Sequence, residues 1–149
     1  MGEAKTTTKW GIAWVALVVA LALHVIDEAA NDFLGFYNPM VLALRESYAW
    51  IPLPTFTFPA WIIGLAVGVS VLLALSPLVF AGKRYLRPLA YFLGILMTAN
   101  GLGHIGASVY LDQLVPGVYS SPVLLVASAA LLITTYGCRP GNQAAGKGA

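Results

Sequence analysis

Four apolar runs, each close to the length that crosses a bilayer, constrain this chain more than any other feature. A hydrocarbon core of about 30 Å needs a helix of about 20 residues. Runs of that kind stand at 10–29, 59–81, 88–109 and 121–137. Only 9% of the residues are charged, against about 25% in soluble domains, and the mean hydropathy is +0.81. The expectation is an all-α integral membrane protein, multi-pass in the cell membrane, built as a four-helix bundle. Its polar segments are too short for a second globular unit, so 10–137 reads as one membrane domain. A leader at 1–9 precedes it. The tail at 138–149 is rich in Gly and Ala without an apolar pattern, and disorder is expected there.

Basic residues orient the spans. Lys5 and Lys9 precede the first, Lys83, Arg84 and Arg87 lie between the second and third, and Arg139 and Lys147 follow the fourth. All of these fall on one side, whereas the other side has Arg45 alone, so the positive-inside rule predicts both termini in the cytoplasm. Aromatic residues fit the same frame. Trp10, Trp14, Tyr85 and Tyr136 are expected at the inner interface, and Phe36, Tyr37, Tyr48, Trp50, Tyr110 and Tyr119 at the outer one. Ser120 and Ser121 suit a helix cap ahead of Pro122 in the first turn of span four. A cleaved secretory signal is the alternative for span one, because Ala20-Leu21-Ala22 resembles a cleavage site. Met1-Gly2-Glu3-Ala4-Lys5-Thr6 also fits a myristoylation pattern, although an ordinary leader is the preferred reading.

The outer connection from 30 to 58 is too long to lack structure in so small a protein. Asn38 followed by Pro39 predicts the start of a short interfacial helix, with Met40, Val41, Leu44 and Tyr48 on one face. Pro52, Pro54 and Pro59 then require an extended return to the membrane. The net charge of +2 comes from scattered residues with no basic stripe, so a nucleic-acid partner is not expected. The single cysteine, Cys138, excludes an internal disulfide and leaves the redox compartment open.

Ionisable residues inside the spans are costly, and in membrane proteins they mark sites. His24, Asp27 and Glu28 sit near the outer end of span one. The two acids are three and four residues beyond the histidine, so both lie on its face of a helix. Span three carries Asn100-Gly-Leu-Gly-His104, where the polar ends are again four apart. At 1.5 Å per residue, His24 lies roughly 21 Å above Trp10 and His104 roughly 22 Å above Leu89, so the two stripes reach similar depth in the outer leaflet. Gly101, Gly103 and Gly106 permit a close helix contact there, and Gly64 with Gly68 reads as a packing seam on span two. A plainer account makes Asp27 and Glu28 solvated interfacial carboxylates and the histidines helix-to-helix hydrogen bonds. Arg45, Asp32 and Asp112 are most simply rim and loop charges.

These motifs resemble those of the HXXEE family of small integral membrane proteins, named for a His-x-x-Glu-Glu motif. It stands here as His24-Val-Ile-Asp27-Glu28, with Asp27 in place of the first glutamate. An Asn-x-x-x-His element is matched by Asn100 to His104. Of a Tyr-x-Pro-Gly element, Pro116-Gly117 is present and Leu114 occupies the tyrosine's place. The resemblance covers all four spans. It implies an enzyme whose chemistry is carried by the polar motifs.

Two histidines and a carboxylate form the ligand set of some catalytic zinc sites. His24, Glu28 and His104 are the candidate metal ligands, required then on one face and within about 4 Å of one another. Asp27 would accept a proton or orient a ligand, and Asn100 would hydrogen-bond a ring nitrogen. Without a metal, a histidine and a carboxyl acting as acid and base form the equal alternative. Either would serve a small or lipidic substrate entering from the outer leaflet, under a lid near Met40. A proton-coupled transporter subunit uses the same residue types, but the inner halves of spans one and three carry no ionisable side chain to continue a relay. A structural or interaction subunit stays open, because no nucleophile motif, phosphate loop or metalloprotease motif is present. The bilayer is the expected partner, and a homo-oligomer is compatible with the pattern.

Overall fold

The computed structural model describes residues 2–137, which form helices joined by turns and loops with no strand among them. Cys138, Arg139, Lys147 and the Gly/Ala-rich tail lie outside the described residues. Five α-helices follow in order: α1 (Gly2–Ala30), α2 (Phe33–Ser47), α3 (Phe58–Phe80), α4 (Arg87–Leu111) and α5 (Ser121–Gly137), with one 3-10 turn at Arg84–Leu86. Three helical stretches are long and apolar enough to cross a membrane: Lys5–Ala30, Phe58–Phe80 and Arg84–Leu111. The shorter α5 is apolar as well.

The residues expected as a leader are part of the first helix. Nothing between Glu3 and Trp10 breaks a helix, so α1 runs on from Gly2 without a joint. Its first turns meet the α3–α4 turn, where Gly82 adopts φ +70 and a Cβ would stand 2.9 Å from Thr7 Cγ2. That contact gathers Lys5, Lys9, Lys83, Arg84 and Arg87 at one end of the helices. Trp10 and Trp14 are not interfacial anchors: both are almost fully buried, and the Trp14 indole Nε1 donates to the Leu72 carbonyl at 3.0 Å. They lie on the stripe of α1 that continues through Leu17 and Val18 into the core.

α1 packs against both α3 and α5, and α4 packs against α5. α4 also meets α1 where His104 reaches His24 and Glu28. Gly94 and Gly101 let α4 approach α5, where added Cβ atoms would meet Leu132 and Leu125. Gly103 and Gly106, expected in a tight contact, face open space, as do Gly64 and Gly68 of α3.

The outer connection contains the expected helix, but α2 starts earlier than Asn38. Asp32 is its N-cap, in the left-handed region at φ 54, and its Oδ1 accepts from the Gly35 N–H at 3.2 Å. Pro39 therefore falls inside the helix. Val41 is buried and Leu44 partly so, whereas Met40 and Tyr48 are exposed. Asn38 instead clamps the returning segment: its Nδ2 donates to the Phe56 carbonyl at 2.9 Å and its Oδ1 accepts from the Phe56 N–H at 3.1 Å. Tyr37 donates to Pro54 O and Arg45 to Leu53 O, so the proline-rich segment is strapped along α2. Asn38→Ala is expected to cost roughly 1–2 kcal/mol for the two bonds. Faster hydrogen exchange at the Phe56 amide, with exchange in α3 unchanged, is the measurement that checks it.

Candidate functional site

The buried stripe of α1 carries apolar side chains from Trp10 to Val25 and then ends on Glu28, so the site continues the packing face of the central helix. His24 and Glu28 are 1% and 5% exposed. His104, 9% exposed, reaches the same point from α4. Its Nε2 lies 3.2 Å from Glu28 Oε1, and His24 Nε2 lies 3.6 Å from the same oxygen. The two imidazoles meet edge to face with ring centroids 4.8 Å apart. One ligand atom from each of the three residues lies within 4.8 Å of the others.

The segment 112–120 closes the site from the side. Gly117 turns there at φ +88, and a Cβ at this position would stand 2.8 Å from His104 Cε1 and 3.0 Å from His24 Cε1. Only a residue without a side chain leaves both rings in place. The turn also delivers Ser120, whose Oγ donates to Asp27 Oδ2 at 2.7 Å and lies 2.8 Å from His24 Nδ1. The Ser120 N–H donates to the same Asp27 oxygen at 2.8 Å, and Asn31 Nδ2 donates to Asp27 Oδ1 at 2.8 Å. With the serine proton committed to the Asp27 carboxylate, Ser120 Oγ accepts from His24 Nδ1–H. That tautomer leaves the lone pair on His24 Nε2. This nitrogen is buried, has no hydrogen-bond partner, and faces a carboxylate oxygen.

Asp27 thus stands apart from the cluster it was expected to serve directly. Both of its oxygens are engaged by Ser120 and Asn31, and it acts on His24 through a serine. Asn100 makes no hydrogen bond to either imidazole among the described residues, and its buried Oδ1 has no partner. Arg45 is spent on Leu53 and does not reach the acids. Sequence reasoning missed the roles of Ser120, Gly117, Asn31, Phe33 and Trp61. The Phe33 ring stacks on Trp61 with centroids 5.7 Å apart and lies 5.9 Å from the His104 ring, so the first turn of α2, not the segment around Met40, covers the site.

Three helices long and apolar enough to cross a membrane, with a buried His–carboxylate–His cluster between them, suggest a membrane protein with a polar site. The family model described as protein of unknown function with HXXEE motif matches residues 14–132, and the chain belongs to this HXXEE family. No curated protein and no solved structure matches the chain.

Proposed function

We propose that this protein is a multi-pass membrane enzyme whose His24, Glu28 and His104 bind a divalent metal such as zinc, acting on a small or lipidic substrate. The single observation that carries the metal is the buried, unpartnered His24 Nε2 turned toward Glu28 Oε1. Two electron-pair donors facing each other in a poorly solvated place call for a proton or a metal cation between them, and a divalent ion would serve the third donor, His104, as well. The distances of 3.2 and 3.6 Å suit the edge of a tetrahedral site with bonds of about 2.0–2.1 Å, which is about 3.3 Å. The widest separation within the trio, up to 4.8 Å, exceeds the expected limit of about 4 Å, so an ion could be held by all three only if the ligand atoms drew closer. A bound ion of this kind makes hydroxide available from water near neutral pH. Asp27, through Ser120, holds the His24 tautomer and ring plane, the service a carboxylate performs behind many metal-bound histidines. Gly117 and Phe33 limit access to the cluster.

In this reading α5 is the fourth span, both termini are cytoplasmic, and the cluster lies in the outer half of the bilayer. The basic end of the helices supports that orientation. A second reading, acid–base chemistry by the His104–Glu28 pair, is favoured by their 3.2 Å contact, which is itself of hydrogen-bond length.

Metal analysis of the detergent-purified protein separates the two. Zinc-loaded wild type is expected to retain about one equivalent after desalting, and His104→Ala a small fraction of that, with both eluting as folded species of equal size. Equal metal content in the two overturns ligation by His104.

A further inference from the structure

We infer that the hollow beside the cluster recognises an ammonium group, carried by a lipid head group or by a small free amine. This names the substrate class for the metal site and rests on that reading only for the chemistry that follows binding. The hollow has a volume of ≈ 150 Å³ and lies between the end of α1 and the starts of α2 and α3. Glu28, Asp32, Phe33, Phe58 and Trp61 line it, along with two alanines and a leucine. A cavity of about 150 Å³ admits a molecule the size of benzene, so a methylated or primary ammonium group fits.

Charge and chemistry select the occupant. Two carboxylates and no basic side chain line the hollow, so an anion is repelled. A purely apolar group satisfies the rings and leaves the acids beside hydrocarbon. An ammonium group satisfies both, because aromatic faces attract cations and the carboxylates supply the opposite charge. The rings form a connected wall: Phe33 stacks on Trp61, and Phe58 lies 5.9 Å from Trp61, centroid to centroid. Glu28 belongs to both hollow and cluster, where its Oε1 is faced by the two imidazoles. Asp32 is then the hollow's own anion. No cation pairs with it among the described residues, and its cap bond to Gly35 uses Oδ1 alone.

The test uses the full chain in detergent, with tetramethylammonium chloride as probe, sodium chloride at matched ionic strength, and the neutral isostere 2,2-dimethylpropanol. Wild type is expected to show a saturable rise in melting temperature with tetramethylammonium and none with the alcohol. Asp32→Asn keeps a residue that caps helices and tolerates the left-handed region, and removes the charge. It is expected to weaken binding about fivefold, and Trp61→Phe, which keeps an aromatic ring, about twofold to threefold. Zinc content of both variants should equal wild type, which separates this pocket from the ligand set. Equal stabilisation by the alcohol, or wild-type binding in Asp32→Asn, overturns ammonium recognition and leaves the metal measurement standing. Nanodiscs distinguish the source: a lipid head group is the ligand if phosphatidylcholine suppresses probe binding relative to phosphatidylglycerol, and a free amine is the ligand if the two discs bind it equally. Binding in neither disc overturns the inference.

Discussion

Gly117→Ala is expected to destabilise the protein by about 2–5 kcal/mol and to abolish retention of zinc. Two costs add at this position. The backbone sits at φ +88, where any Cβ brings a penalty of about 1–2 kcal/mol. The methyl would also stand 2.8 and 2.9 Å from His104 Cε1 and Nδ1 and 3.0 Å from His24 Cε1, and overpacking of this kind costs about 1–3 kcal/mol. Neither ring retreats freely, because His24 is tied to Ser120 and His104 backs onto Phe33. Thermal melts in detergent of Gly117→Ala beside Gly103→Ala check this. Gly103 faces open space inside a helix, so its variant should melt at or above the wild-type temperature. A wild-type melt for Gly117→Ala would show that the turn does not hold the rings.

Ser120→Ala is expected to weaken zinc binding about 10–100-fold while the helices stay assembled. The substitution removes one oxygen that accepts from His24 Nδ1 and donates to Asp27 Oδ2. Asp27 keeps the Ser120 N–H and the Asn31 amide, so the α1 side of the site remains docked. What is lost is the restraint on which His24 nitrogen carries the proton and on where the ring points. Competition against a chelator of known zinc affinity measures the change. Unaltered affinity, with unaltered melting, would remove Ser120 from any part in ordering the ligand.

How much of this was readable from residues follows from what each one depends on. The spacing of His24 to Glu28 and of Asn100 to His104 is a property of one helix each, so both stripes were visible before any packing was known. Trp10 and Trp14 were misplaced because aromatics near a basic helix end suit an interface. The same helical period that joins them to Leu17, His24 and Glu28 was the available signal for burial. The α2 start was misjudged for a similar reason. Asn38-Pro39 is a valid cap pattern, but Asp32 with Gly35 three residues on makes an earlier one, and Gly35 leaves room for the Asp32 carboxylate. Ser120 could be read locally only as a cap. Its bonds to His24 and Asp27 span 96 and 93 residues, and no local pattern encodes them.

That separation has a consequence for how the molecule is made. Synthesis from the N-terminus completes the helix with His24, Asp27 and Glu28 while His104, Gly117 and Ser120 are still to be made. During that interval the first helix holds three ionisable groups without the neighbours that later surround them. The segment before the last helix then arrives as a clasp, supplying a donor to Asp27 and a wall for both imidazoles in one step. The site is therefore complete only once the chain has been made through Ser120: without Gly117 and Ser120 the long helices lack the donor to Asp27 and the wall beside both imidazoles.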